Sequence, residues 1–435
     1  MLEKLQNIFR IPELKRRVIF TLALLCVYRL GGHIPTPGVN STALVSAFAQ
    51  QSNSLFGLYD LFVGGSFAKA TVFALGIMPY ISVSIIFQLL GAVIPYFEKL
   101  QKEGEEGRKK ITQYTRVGTV ALAAVQSLAF AKFLESMGSA GAPVVPHPGI
   151  TFQLMTMITQ TTGTILIMWL GEQITERGIG NGISLIIFIG IVARFPADIV
   201  NTIRAIRVGT LSPVIAALLV GMMVAVIASV VAMTQAQRKI PVQYAKRVVG
   251  RKMYGGQATH IPLRVNTAGV IPIIFAQSLI MLPSTLALYF QGSNIIQSVA
   301  QLFAHGTWVY VIVYSLTIIF FTYFYTAIVL NPTDMADNMK KYGGFVPGIR
   351  PGRKTSEYID RILSRITLPG AIFLALIAVL PDLLIRSFNV PFYFGGTSVL
   401  IVVGVALDTL QQIESHLIMR HYEGFVTHGK MRGRR

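Results

Sequence analysis

Ten stretches of this chain are apolar for the length a helix needs to cross a lipid bilayer, about 17 to 25 residues, and they restrict what it can become. They lie at roughly 18–31, 71–94, 114–134, 150–171, 182–201, 211–233, 267–288, 307–330, 366–386 and 394–412. In lipid every backbone N–H and C=O needs an internal partner, so the pattern predicts ten spanning helices and an all-α polytopic membrane protein. Composition agrees: 53% of the 435 residues are hydrophobic and 13% charged, with a mean hydropathy of +0.59. Soluble domains carry about twice that share of charge. The first stretch follows MLEKLQNIFRIPELKRR and has the basic start and short apolar centre of a secretory signal. No small-residue cleavage site closes it, so it reads as a retained signal-anchor helix.

Charge gives the orientation. The chain has 38 Lys and Arg against 19 Asp and Glu. Most of the cations fall in the N-terminus, the alternate loops and the C-terminus, which places both termini in the cytoplasm. Two of the cytoplasmic loops hold more cations than anchoring at anionic headgroups requires. Residues 234–265 carry Arg238, Lys239, Lys246, Arg247, Arg251, Lys252 and Arg264, and residues 331–365 carry Lys340, Lys341, Arg350, Arg353, Lys354, Arg361 and Arg365. On charge alone such loops suit a polyanion such as ribosomal RNA or the lipid surface. The single cysteine, Cys26, allows no intrachain disulfide.

The spans divide into five and five around an external loop at Arg204–Leu211, giving halves 1–205 and 206–435. The second span of each half carries the same interruption, Gly76-Ile-Met-Pro79 and Gly269-Val-Ile-Pro272, with an isoleucine, Ile81 or Ile274, two residues after each proline. Paired interruptions at matching places mark inverted repeats. Just upstream, LFVGGSFAKATVFALGIMP at 61–79 contains Gly64-Gly65 and Lys69, which keep its front from continuing as a lipid-exposed span. The front is expected to fold back, leaving Thr71 onward as the second span.

The sequence is poor in chemistry. Asp382, Arg386, Arg29, Asp408 and Glu172 sit toward span ends, and mid-span polarity is limited to groups such as Gln88, Gln126, Gln277 and Ser82. No phosphate loop, zinc-protease motif or nucleophile elbow is present, and no His cluster has metal spacing. The expectation is a protein that is not an enzyme, with no catalytic residue, metal or cofactor. Ile77 and Ile81, and likewise Ile183 and Ile187 after GIGNGIS, are i,i+4 pairs that suit helix packing or a hydrophobic constriction. A channel, a secondary transporter of a small solute and a ribosome-docking receptor without a pore all remain open at this point.

FALGIMPYIS (73–82), KEGEEGRKKITQYTR (102–116), MWLGEQITERGIGNGIS (168–184), NPTDMADNMKKYGGFVPGIRPG (331–352) and VPFYFGGTSVLIVVGVALD (390–408) closely resemble the SecY family, channel subunits of the bacterial protein-conducting translocon. The resemblance runs from about residue 12 to about residue 425. It implies two pseudo-symmetric inverted five-helix halves around an hourglass pore, a re-entrant plug helix at about 55–69 including Gly64, Gly65, Ser66 and Lys69, and a lateral gate to lipid. It places a pore ring at Ile77, Ile81, Ile183, Ile187, Ile274 and Ile401, and polar gate contacts at Gln88 and Asn266. Motor or ribosome docking falls on Arg251, Lys252 and Arg350. The partners it implies are the SecE and SecG subunits, the SecA ATPase, the ribosome with its nascent chain, signal sequences, preproteins and lipids. The expected location is the cytoplasmic membrane.

Overall fold

The computed structural model describes residues 11–41, 43–44, 59–60, 63–137, 143–210, 212–244, 247–249, 252–254, 258–289, 294–303, 307–388 and 396–428. It separates into two compact units, residues 1–203 with 281–305 and 405–435, and residues 204–280 with 306–404. The division points after Ile203, Ile280 and Gly404 fall within helices.

Helices occupy all ten apolar stretches. In chain order they are α1 (Pro12–Gly31), α2 (Met78–Val93) with its short continuation α3 (Pro95–Lys102), α4 (Glu105–Ser136), α5 (Ile150–Arg177), α6 (Gly182–Val192) with α7 (Phe195–Arg207), and α8 (Pro213–Gln235). After a region of strands come α9 (Ile271–Tyr289), α10 (Asn294–Leu302), α11 (Trp308–Val329), α12 (Pro332–Lys341), α13 (Arg353–Phe388) and α14 (Gly396–His428). Among the described residues seven helical stretches are long and apolar enough to cross a membrane, or eight if the bent pair α2–α3 counts as one span. The chain is therefore a multi-pass membrane protein. The 100° bend between α2 and α3 follows from Pro95. A residue before proline is pushed to extended backbone, as Ile94 is at φ −101° and ψ 119°, and the proline opens the next helix.

In the first unit an apolar cluster of Leu44, Phe67, Ala70, Ala74, Phe130, Leu134, Val144 and Phe152 ties the segment before α2 to α4 and α5. Here one expected boundary moves. The second span does not start at Thr71: Thr71 bridges to Pro35, residues 72–77 are turns, and the helix begins at Met78. Gly76 takes a left-handed φ of 57° and Pro79 lies in the first turn, so the backbone breaks before the helix rather than within it. The non-helical peptides find partners nearby, with Val72 N–H donating to Ile34 O and Thr36 N–H to Ala70 O, both at 2.9 Å.

In the second unit the two basic loops prove not to be free extensions. Strand β1 (Gln237–Tyr244) pairs antiparallel with β4 (Ala258–Arg264), with Ile240 opposite Ile261, and β5 (Gly344–Phe345) adds to the other edge of β1 at Gln243 and Tyr244. A separate short pair, β2 (Arg247–Val249) and β3 (Lys252–Tyr254), lies between β1 and β4 in sequence. Ile240, Val242, Leu263, Met339, Val346, Ile359 and Leu363 form one buried cluster. The loops thus share a small lobe with its own core, joining the sheet to α12 and the start of α13. Within the sheet Pro241 sits where β4 alone flanks β1, a place where a missing donor is tolerated.

Candidate functional site

The six isoleucines share one chemical character and two local settings. Ile77 stands at the N-cap of α2 and Ile81 in its first turn; both are buried, and Ile81 N–H donates to Ile77 O at 3.1 Å. Ile274 occupies the same place on α9, buried, its N–H donating to Val270 O at 3.3 Å. Each helix begins two residues after a left-handed glycine, Gly76 at φ 57° and Gly269 at φ 63°, so Ile81 and Ile274 stand in one register. The echo extends further. A side chain on Gly163 of α5 would strike the carbonyl of Val72, and one on Gly370 of α13 would strike that of Val265. Each valine lies four residues before its left-handed glycine. Glycine is needed at both contacts because helix backbone meets non-helical backbone directly.

Ile183 and Ile187 lie on α6, Ile187 buried and Ile183 partly so, and Ile401 on α14 is fully buried. The GIGNGIS approach to α6 is held by side chains from three helices. Ile179 N–H donates to Thr21 Oγ1 on α1, Gly180 N–H to Gln412 Oε1 on α14, and Gly182 N–H to Thr175 Oγ1 on α5. Asn181 caps α6 by accepting from Ile183 and Ser184 N–H. Ile77, Ile81, Ile183 and Ile187 belong to the first unit; Ile274 and Ile401 belong to the second.

Of the re-entrant stretch at 55–69, residues 55–58 and 61–62 lie outside the described residues. Gly64 and Gly65 adopt left-handed φ values of 70° and 86°, which permits the fold-back expected of them. Ser66 is buried and Lys69 is exposed. Two residues that sequence reasoning passed over, Asp60 and Arg194, form an ion pair at 3.0 Å, while Arg29 donates to Gly64 O at 2.9 Å. The only sequence signal for Asp60 was one acid in the apolar run LYDLFVGG, and nothing local named its partner 134 residues away.

The remaining candidates are dispersed. Gln88 donates to Ser84 Oγ at 3.3 Å on its own helix, and Asn266 is buried with its Oδ1 unpartnered. Arg350 is exposed on the turn after β5, and its carbonyl accepts from Thr355 Oγ1 at 2.8 Å. Arg251 lies outside the described residues, and Lys252 opens β3 opposite Val249. Among the described residues no group of three or more His, Cys, Asp or Glu is placed to hold a metal ion.

Comparison with known proteins covers nearly the whole chain. A family model described as SecY matches residues 71–410. The chain is 47% identical over 428 residues to the protein translocase subunit SecY of Aquifex aeolicus, covering 98% of this chain and all of that one. It is 46% identical over 424 residues to the Escherichia coli K12 protein of the same description, covering 97% and 96%. Its fold is similar to a solved protein-conducting channel, with a TM-score of 0.65 at 18% identity and 92% of each chain covered.

Proposed function

The chain belongs to the SecY family, and from that premise we propose that it is the central subunit of a protein-conducting channel in the cytoplasmic membrane. It passes unfolded preproteins across and releases apolar segments sideways into lipid. The observation that carries the reading is the shared register of Ile81 and Ile274, each buried in the first turn of a helix begun by a left-handed glycine. Two helices built alike, one in each proposed half (1–205 and 206–435), supply equivalent apolar positions to a ring completed by Ile77, Ile183, Ile187 and Ile401. Branched aliphatic side chains suit such a ring. They offer no hydrogen bond that would favour one passing sequence over another, and they resist water and ions when closed. Gln88 and Asn266 are the proposed polar contacts of the lateral gate.

The stretch around Gly64–Lys69 is the proposed plug. The lobe built from β1, β4, β5 and α12 is the proposed docking surface for SecA or the ribosome, with Arg350, Arg251 and Lys252 at its contacts. Both termini face the cytoplasm in this reading, and SecE and SecG complete the complex. No chemical step is assigned to the chain itself; the energy for transport comes from the motor or from translation.

The test is photocrosslinking from probes at Ile81 and Ile274 with a secretory nascent chain stalled on the ribosome. Adducts to the nascent chain from both positions are expected. Normal ribosome binding with adducts from neither would overturn the channel in favour of a receptor.

A further inference from the structure

Two helices end in arginines that converge on one short stretch of backbone. Arg29 lies in the last turn of α1, and Arg194 follows the C-cap of α6. Helix C-termini carry partial negative charge, so a cation is favoured at both places. Arg194 Nη1 reaches Asp60 Oδ2 at 3.0 Å, and Arg29 Nη1 reaches Gly64 O at 2.9 Å. The carboxylate of Asp60 also works inward. Its Oδ1 accepts from Ala68 N–H at 2.8 Å, and its carbonyl accepts from Gly65 N–H at 2.9 Å. One residue therefore closes the turn of the segment and ties that turn to the end of α6.

The seat itself is bare backbone. Gly64 lies against Gly190 of α6 so closely that an added Cβ would stand 2.8 Å from Gly190 Cα. Such a contact has no interlocking side chains and offers little resistance to sliding. Phe67 and Ala70 bury in the neighbouring apolar cluster and supply attraction, but apolar burial is non-directional. Backbone bonds such as Thr36 N–H to Ala70 O hold the segment further along, and at its front the directional contacts to the ends of α1 and α6 are the arginine–carbonyl bond and the charged pair.

We propose that Asp60, Arg194 and Arg29 form a two-armed latch that seats the re-entrant segment at rest, and that an arriving substrate opens the seal by breaking it. This rests on the plug assignment made above. The electrostatics suit a contact that has to hold and still release. Burial pushes the Asp60 carboxyl above the usual carboxylate range, more than offsetting the neighbouring Arg194 and the backbone donors of Ala68 and Phe67. A pair in that condition fixes geometry while adding little net stability.

The experiment uses the full channel complex in intact cells, with Cys26→Ser and Ser66→Cys leaving one thiol, and follows its labelling by a membrane-impermeant maleimide from outside. The parent is expected to be shielded at rest and labelled when a translocation intermediate is trapped. Asp60→Asn is expected to speed resting labelling about tenfold, the loss of one hydrogen bond to a charged group. Arg194→Gln is expected to do more, because it leaves the carboxylate buried and unpaired. The double variant should label no faster than Arg194→Gln alone, as partners in one interaction do. Single variants that stay as shielded as the parent would overturn the latch and leave the plug standing, and singles whose effects multiply would make the two residues independent and also overturn it. A parent labelled equally at rest and with trapped substrate would overturn the plug and the latch together.

Discussion

Residues 63–77 in the first unit and the β1–β4 lobe in the second both depart from helix, and they do so by opposite means. The first is a run of turns beside spanning helices, and its backbone is satisfied by nearby carbonyls, one carboxylate and one guanidinium. Its shape depends on left-handed glycines and on pairings that hold in the absence of water. The lobe behaves like a small soluble domain. A strand ladder satisfies its backbone, Ile240, Val242 and Ile359 fill its core, and among the described residues Arg238, Lys239 and Arg264 are exposed. Both regions have an apolar core, around Phe67, Ala70 and Ala74 in the first and Ile240 and Ile359 in the second, but the backbone is satisfied by scattered single contacts in the first and by a strand ladder in the second.

The comparison can be broken most strongly at the surface of the lobe. Arg350→Glu reverses an exposed charge at the proposed docking contact, so motor-driven export should fall by about 100-fold, the scale for such a reversal. Abundance and membrane insertion of the protein should stay normal. Parallel loss of the protein in a membrane immunoblot would instead give Arg350 a folding role.

A comparable effect, read as stability instead of transport, is expected inside the lobe. Ile359 is 1% exposed in its cluster, and Ile359→Ala should destabilise the lobe by about 2–5 kcal/mol. Limited proteolysis should then cut within 237–264 while a thiol at Ser66 remains shielded. Unchanged protease resistance would show that the lobe has no core of its own.

The finest test separates the two adjacent glycines. Gly64→Ala and Gly65→Ala both impose a left-handed backbone on alanine, at about 1–2 kcal/mol each. Gly64→Ala alone also meets Gly190, whereas nothing lies within 4 Å of a side chain at Gly65. Resting ion conductance in planar bilayers should rise more for Gly64→Ala. Equal rises would show that backbone conformation, not the seat on α6, sets the effect.

The ten spans, the paired Gly-x-x-Pro breaks and the isoleucines after them were legible in the sequence because they rest on local rules. Apolar length dictates a spanning helix, and glycine and proline mark where helical backbone stops. The same local rules misplaced the start of the second span by seven residues, at Thr71 instead of Met78, because an apolar turn and an apolar helix look alike until tertiary partners for the backbone are known. The lobe shows in the sequence only as two basic loops because its strands are short and basic, and its core joins residues about a hundred positions apart. Asp60 and Arg194 are the clearest case of what only the tertiary structure decided. Asp60 is one acid ahead of the second span and Arg194 one cation within the fifth apolar stretch, and they pair where Gly64 and Gly190 let two backbones approach. A sequence determines which segments leave water and where helices must stop; long-range proximity, which the chain gains only on folding, decides which distant charges then meet.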